Sequence, residues 1–118
     1  MSNDVLNPVS VEQHIREISN RIAKSAAVCN ERYAAFLQAD HAYDLAFARS
    51  YMQYSGAQHA KKYAAELETE DERQARDAAD AAYRYADRLA KALESELRAY
   101  QSIGASVRAM YAVAGRGE

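Results

Sequence analysis

Residues 69–113 read TEDERQARDAADAAYRYADRLAKALESELRAYQSIGASVRAMYAV, a stretch with one glycine and no proline. Ala75, Ala79, Ala82, Ala86, Leu89, Leu93, Leu97, Tyr100, Gly104, Val107 and Tyr111 recur at steps of three and four residues, so they share one stripe of an α-helix. Thr69-Glu70-Asp71-Glu72 has the form of a capping box, in which the threonine oxygen accepts from an orphan N–H and Glu72 reaches back. The acids of that first turn suit the positive end of the helix dipole. The pattern predicts a helix over 70–113, about 44 residues and roughly 65 Å long at the usual rise per residue. A rod of that length cannot bury its stripe against itself and needs a partner of matching reach.

The first half of the chain supplies one. Ser10-Val11-Glu12-Gln13 repeats the capping pattern and predicts a helix over 11–54, with Ile15, Ile18, Ile22, Ser25, Cys29, Tyr33, Phe36, Asp40, Tyr43, Phe47, Ser50 and Tyr54 along its seam. Ser55-Gly56 closes it, Gly56 being suited to the left-handed conformation that ends many helices. Residues 1–9 read as a flexible arm, 10–114 as a single helical domain and 115–118 as a frayed tail. Residues 57–68 are helix-prone. They form a separate connector helix or run straight into the last helix with the register shifted by about three turns, and the cap at Thr69 favours the first. The expected fold is therefore all-α: a long antiparallel helical hairpin with a short helical connector, coiled-coil-like packing and assembly into oligomers. Each long helix breaks its three-four alternation once, at Cys29–Tyr33 and at Leu89–Leu93–Leu97. Setting Tyr54 opposite Glu70 brings these two breaks face to face. It also places Asp40 near Arg84 or Arg88 as a register-fixing pair; a solvated Asp40 on a drifting stripe is the plainer alternative.

Composition narrows the function. The chain is 49% hydrophobic, much of it alanine, with nine tyrosines and no tryptophan, which suits close-packed helices with partly wet interfaces rather than a thick core. No apolar run is long enough to span a membrane and no basic-then-apolar segment opens the chain, so the expected location is cytoplasmic (host cytoplasm if phage-encoded). The lone Cys29 has no internal partner and reads as a buried thiol. His14, His41 and His59 stand far apart without metal-ligand spacing. Asp40, His41 and Asp44 read as a solvated cluster rather than a metal site, and no base accompanies the serines. The expectation is no enzyme, no cofactor and no metal.

At a net charge of −2 the whole molecule is no polycation, so any affinity for nucleic acid must come from local clustering. Leu45 to Ala65 holds no acid, while Arg49, Lys61 and Lys62 stand among Tyr51, Tyr54, His59 and Tyr63. Cations along a backbone with rings for the bases are what single-stranded nucleic acid needs, so Arg49, Lys61, Lys62, Tyr54 and Tyr63 are the candidate contacts; packing is the plainer role for the tyrosines. From Glu66 to Asp80 the charge reverses, and Glu70, Asp71, Glu72, Asp77 and Asp80 form a candidate surface for a basic partner or a neighbouring copy.

About two-thirds of the chain, from Tyr33 to Ala114, resembles the phage recombination mediators typified by UvsY. The similarity lies in FARSYMQYSG at 47–56 closing a long helix, a basic Ala-Lys-Lys connector, LETED at 67–71, and QSIGASVRAMY at 101–111 ending the last helix. The resemblance implies a small helical protein that assembles into rings, binds single-stranded DNA, remodels strand-binding protein and loads a RecA-type recombinase, with no catalytic residues. In that family a close pair of basic residues before the Tyr-Ser-Gly turn is taken to contact DNA; Arg49 matches one, and Phe47 or Ala48 occupies the other place. The alternative is a helical-hairpin structural or adaptor protein with no nucleic-acid binding. Tyr83-x-x-x-Asp87 has a form found in small secreted helical hairpins, but it lies mid-helix in a chain without tryptophan.

Overall fold

The computed structural model describes residues 7–116; the expected arm and tail fall partly on residues 1–6 and 117–118, outside that range. Helix α1 spans Pro8–Gln53, a 3-10 turn Gln58–Ala60 follows, α2 spans Lys61–Glu68 and α3 spans Glu70–Arg116. The fold is an all-α long helical hairpin with a short helical connector. Its contacts fall into two compact units: residues up to Ala27 with those from Arg88 onward, and Val28–Asp87.

Helix α1 starts earlier than the Ser10 capping pattern implies, because a better cap precedes it. The Ser10 N–H donates to Asn7 Oδ1 at 2.9 Å and the Val11 N–H to the Asn7 carbonyl at 3.0 Å. Pro8 takes the first helical position, where its missing N–H costs nothing and its fixed φ is already helical. Pro8 and Val9 thus belong to the helix rather than to the expected arm.

In the first unit the seam closes on Val11, Ile18 and Val107, all buried. Gly104 is buried between them. A Cβ there would lie 3.2 Å from Val11 Cγ1 and 3.9 Å from Ile15 Cδ1. Glycine inside a helix costs about 1 kcal/mol of propensity relative to alanine, and here it lets two aliphatic side chains of α1 sit close to the α3 backbone. One step along, His14 stacks on Tyr100 with ring centroids 5.2 Å apart.

In the second unit α1 and α3 meet through Tyr33 and Tyr83, whose ring centroids are 5.0 Å apart, and through Arg32, which donates to the Ala82 carbonyl at 3.3 Å. Asp40 lies 3.8 Å from Arg76, not beside Arg84 or Arg88. Arg84 is held by Asp80 on its own helix at 3.0 Å. The register read from the sequence is therefore displaced by about eight residues, roughly two turns. Tyr33 meets Tyr83 rather than the Leu89–Leu97 break, so the alignment of the two stutters falls with it.

Thr69 explains the displacement. It does not open a helix with its side chain. Its hydroxyl donates backwards to the Ala65 carbonyl at 2.6 Å, its own N–H donates to the same carbonyl at 3.1 Å, and the Arg73 N–H donates to the Thr69 carbonyl at 3.0 Å. The i→i−4 pattern thus passes through Thr69, and only its backbone, at φ −105° and ψ 23°, departs from the helix. Back-bonding of this kind bends a helix without ending it. Helices α2 and α3 are thus separate elements, as the connector reading expects, joined into one bent arm by the hydrogen bonds that run through Thr69; only the capping role expected of its side chain fails. With α2 added to that arm, each residue of α1 meets an earlier residue of α3.

Gly56 also differs from expectation, since no glycine among the described residues has a positive φ. Its need is spatial: the Tyr54 phenol folds across it, and a Cβ would overlap that ring.

Candidate nucleic-acid interface

The turn end of the second unit is built on an aromatic ladder. Tyr43, Phe47 and Tyr51 recur every four residues on α1 and so lie one above another. Their centroids are 6.1 Å apart for the first pair and 6.2 Å for the second. A cation from the other arm closes each end. The Arg76 guanidinium sits 4.6 Å from the Tyr43 centroid, and Lys61 Nζ sits 4.9 Å from that of Tyr51. Each such contact is worth roughly 0.5–1 kcal/mol at an exposed site. Together with Ser50, Ala65 and Thr69, all buried, they fix α2 against the end of α1.

This framework distributes the candidate DNA contacts unevenly. Lys61 is half-buried and positioned by Tyr51, and Lys62 beside it is exposed. Tyr54 is half-buried, folded over Gly56. Arg49 is exposed but stands two residues before Tyr51, nearly opposite it around the helix at 3.6 residues per turn, on a flank of α1 away from Lys61. Tyr63 is 64% exposed and lines a groove with Glu66, Leu67, Glu70 and Arg73, so two carboxylates and an arginine, and neither lysine, share that groove. The structure thus brings Lys61, Lys62 and Tyr54 to one end and leaves Arg49 and Tyr63 apart from them. Among the described residues no carboxylate pairs with Arg49, Lys61 or Lys62.

The acidic candidates are partly engaged within their own helix. Asp77 accepts from Arg76 at 3.1 Å, Asp80 from Arg84 at 3.0 Å, and Glu70 from Gln74 at 3.4 Å. Asp71 is exposed and Glu72 half-buried. The hydrogen bond to Asp77 raises the Arg76 pKa above its ordinary value, against the pull of desolvation, with smaller help from the charges of Asp77, Tyr43 and Asp40. Arg76 therefore keeps the positive charge that Tyr43 and Asp40 both meet.

Among the described residues no three His, Cys, Asp or Glu side chains gather as a cation site, and no helix is long and apolar enough to cross a membrane. Compared with family models, curated proteins and solved structures, the chain matches none. The ladder was the feature missed in reading the sequence. Its signal is the four-residue spacing of the aromatic residues at 43, 47 and 51, of which the three-four seam takes in only Tyr43 and Phe47.

Proposed function

We propose that this protein is a homo-oligomeric accessory factor that binds single-stranded DNA through the turn end of its hairpin and assists a RecA-type recombinase, with no catalytic step of its own. The observation that supports this reading is a pair of adjacent lysines, unpaired by carboxylate among the described residues, beside aromatic rings in a segment free of acid. Lys61 and Lys62 meet phosphates, and Tyr54 offers a ring to a base. Arg49, the position matched by the resemblance, lies on another flank of α1 and is not among these contacts.

Two or three phosphate contacts per copy bind weakly, so assembly is part of the proposal: linked copies raise the effective concentration of each patch. The thin core supports assembly. Helices of 46 and 47 residues leave Tyr33, Leu45, Met52 and Met110 exposed, and α2 leaves Leu67 exposed. The test is the DNA-dependent ATPase of a RecA-type recombinase on single strands pre-coated with strand-binding protein. Addition of this protein shortens the lag before ATP hydrolysis. An unchanged lag, together with no binding to the bare strand, leaves the adaptor reading, which the acid-rimmed Tyr63–Leu67 groove favours.

A further inference from the structure

We propose that the outward face of α1 near its end docks on the outward face of the α2–α3 bend of a second copy of this chain. On α1, Leu45, Arg49 and Met52 follow the i, i+4, i+7 spacing of one helical face, and Met52 is 77% exposed. On the other arm, Tyr63, Leu67 and Glu70 follow the same spacing, and Leu67 is 77% exposed. Each face turns away from its own hairpin partner. Met52 lies two residues from buried Ser50, and Tyr63 lies two residues from buried Ala65, which places each nearly opposite the packed side of its helix. One chain therefore cannot bring the two faces together, and a second copy can.

Charge selects that occupant. The α1 face lies in the stretch from Leu45 to Ala65 that contains no carboxylate, and its cation is Arg49. The opposing groove is lined by two carboxylates, Glu66 and Glu70, against one cation, Arg73, so its balance is negative. An apolar pair on each side with opposite charges beside it is self-complementary between copies, and like-charged alternatives are repelled. Both faces lie at the turn end of the second unit, so hairpins side by side in the same orientation set Met52 against Tyr63 and Leu67, and Arg49 against Glu66 and Glu70. The contact is heterologous, one face of a copy meeting the other face of the next, and it repeats. It deepens the proposed function in one respect that rests on that reading: the Lys61–Lys62 ends of successive copies come to one side.

The test uses the full chain with Cys29→Ser, carrying Met52→Cys in one preparation and Leu67→Cys in another. A short bis-maleimide is expected to join chains when the preparations are mixed and not within either alone. Met52→Asp or Leu67→Asp, at exposed positions, is expected to lower the solution mass toward that of one chain while helical content stays unchanged. No cross-link in the mixture, cross-links within a single preparation, or a single-chain mass for the parent protein overturns the proposal. Oligonucleotide binding is read separately. Mixed-pair cross-linking in a protein that ignores single strands keeps this contact and removes the DNA reading; strand binding by a protein that stays a single chain removes this contact and keeps only the strand-binding part of that reading.

Discussion

Replacing Thr69 with aspartate separates two roles that a threonine can play at this point. As an N-cap, aspartate serves as well as or better than threonine, and its charge suits the helix dipole. In the structure Thr69 is instead a donor, 2% exposed, with its hydroxyl 2.6 Å from the Ala65 carbonyl. Loss of that hydrogen bond costs about 1 kcal/mol, and a buried carboxylate facing a carbonyl oxygen adds about 1–3 kcal/mol of unsatisfied polarity. Thr69→Asp is therefore expected to destabilise by about 2–4 kcal/mol. Thr69→Val, which keeps the shape and removes only the bond, costs about 1 kcal/mol. At about 4 °C per kcal/mol for a chain of this size, thermal unfolding followed by circular dichroism resolves the two variants. Equal or greater stability for Thr69→Asp relative to the parent would refute the bent-arm account and restore a capped restart at Glu70.

The other predictions concern the turn, the register and the first helix. Gly56→Ala should displace the end of the Tyr54 ring at a cost below about 1 kcal/mol, since Gly56 is exposed and the phenol can swing aside; in a Tyr54→Ala background the cost should vanish, and urea midpoints of the four proteins measure that coupling. Tyr33→Ala and Tyr83→Ala should couple by about 1 kcal/mol as a ring pair, whereas Asp40→Ala and Arg84→Ala should be additive in the same denaturation experiment. Asn7→Ala should remove the α1 cap at a cost of about 1 kcal/mol. It should also speed amide exchange in the first turn, and unchanged exchange there would assign the cap elsewhere.

Much of the fold is legible in the sequence because three-four spacing is a property of the helix itself. The stripe from Ala75 to Tyr111 needs nothing but its own periodicity to be read. The register is different, since it depends on what the connector does, and the connector turns on one side chain. Threonine can accept from the N–H groups ahead of it or donate to a carbonyl behind it, and TEDE at 69–72 looks the same in both cases. Asn7-Pro8 is a readable cap in its own right, and Ser10 lies inside the helix as its third residue. At the site, the cation-rich and acid-free stretch is visible as composition. That Arg49 and Lys61 face different ways is not, because it depends on the angle between two helices of different chain position.

Lys61 and Lys62 are proposed as a phosphate-binding end of the hairpin. Fluorescence anisotropy of a labelled single-stranded oligonucleotide, titrated with the parent protein and with Lys61→Ala/Lys62→Ala over a series of salt concentrations, tests it most directly. Each lost contact to a single strand should flatten the dependence of log K on log salt by about 0.7, so the double variant should bind more weakly and with a slope shallower by at least about 1.4. An identical slope and affinity for the two proteins, or no binding by the parent at the lowest salt, would contradict the account.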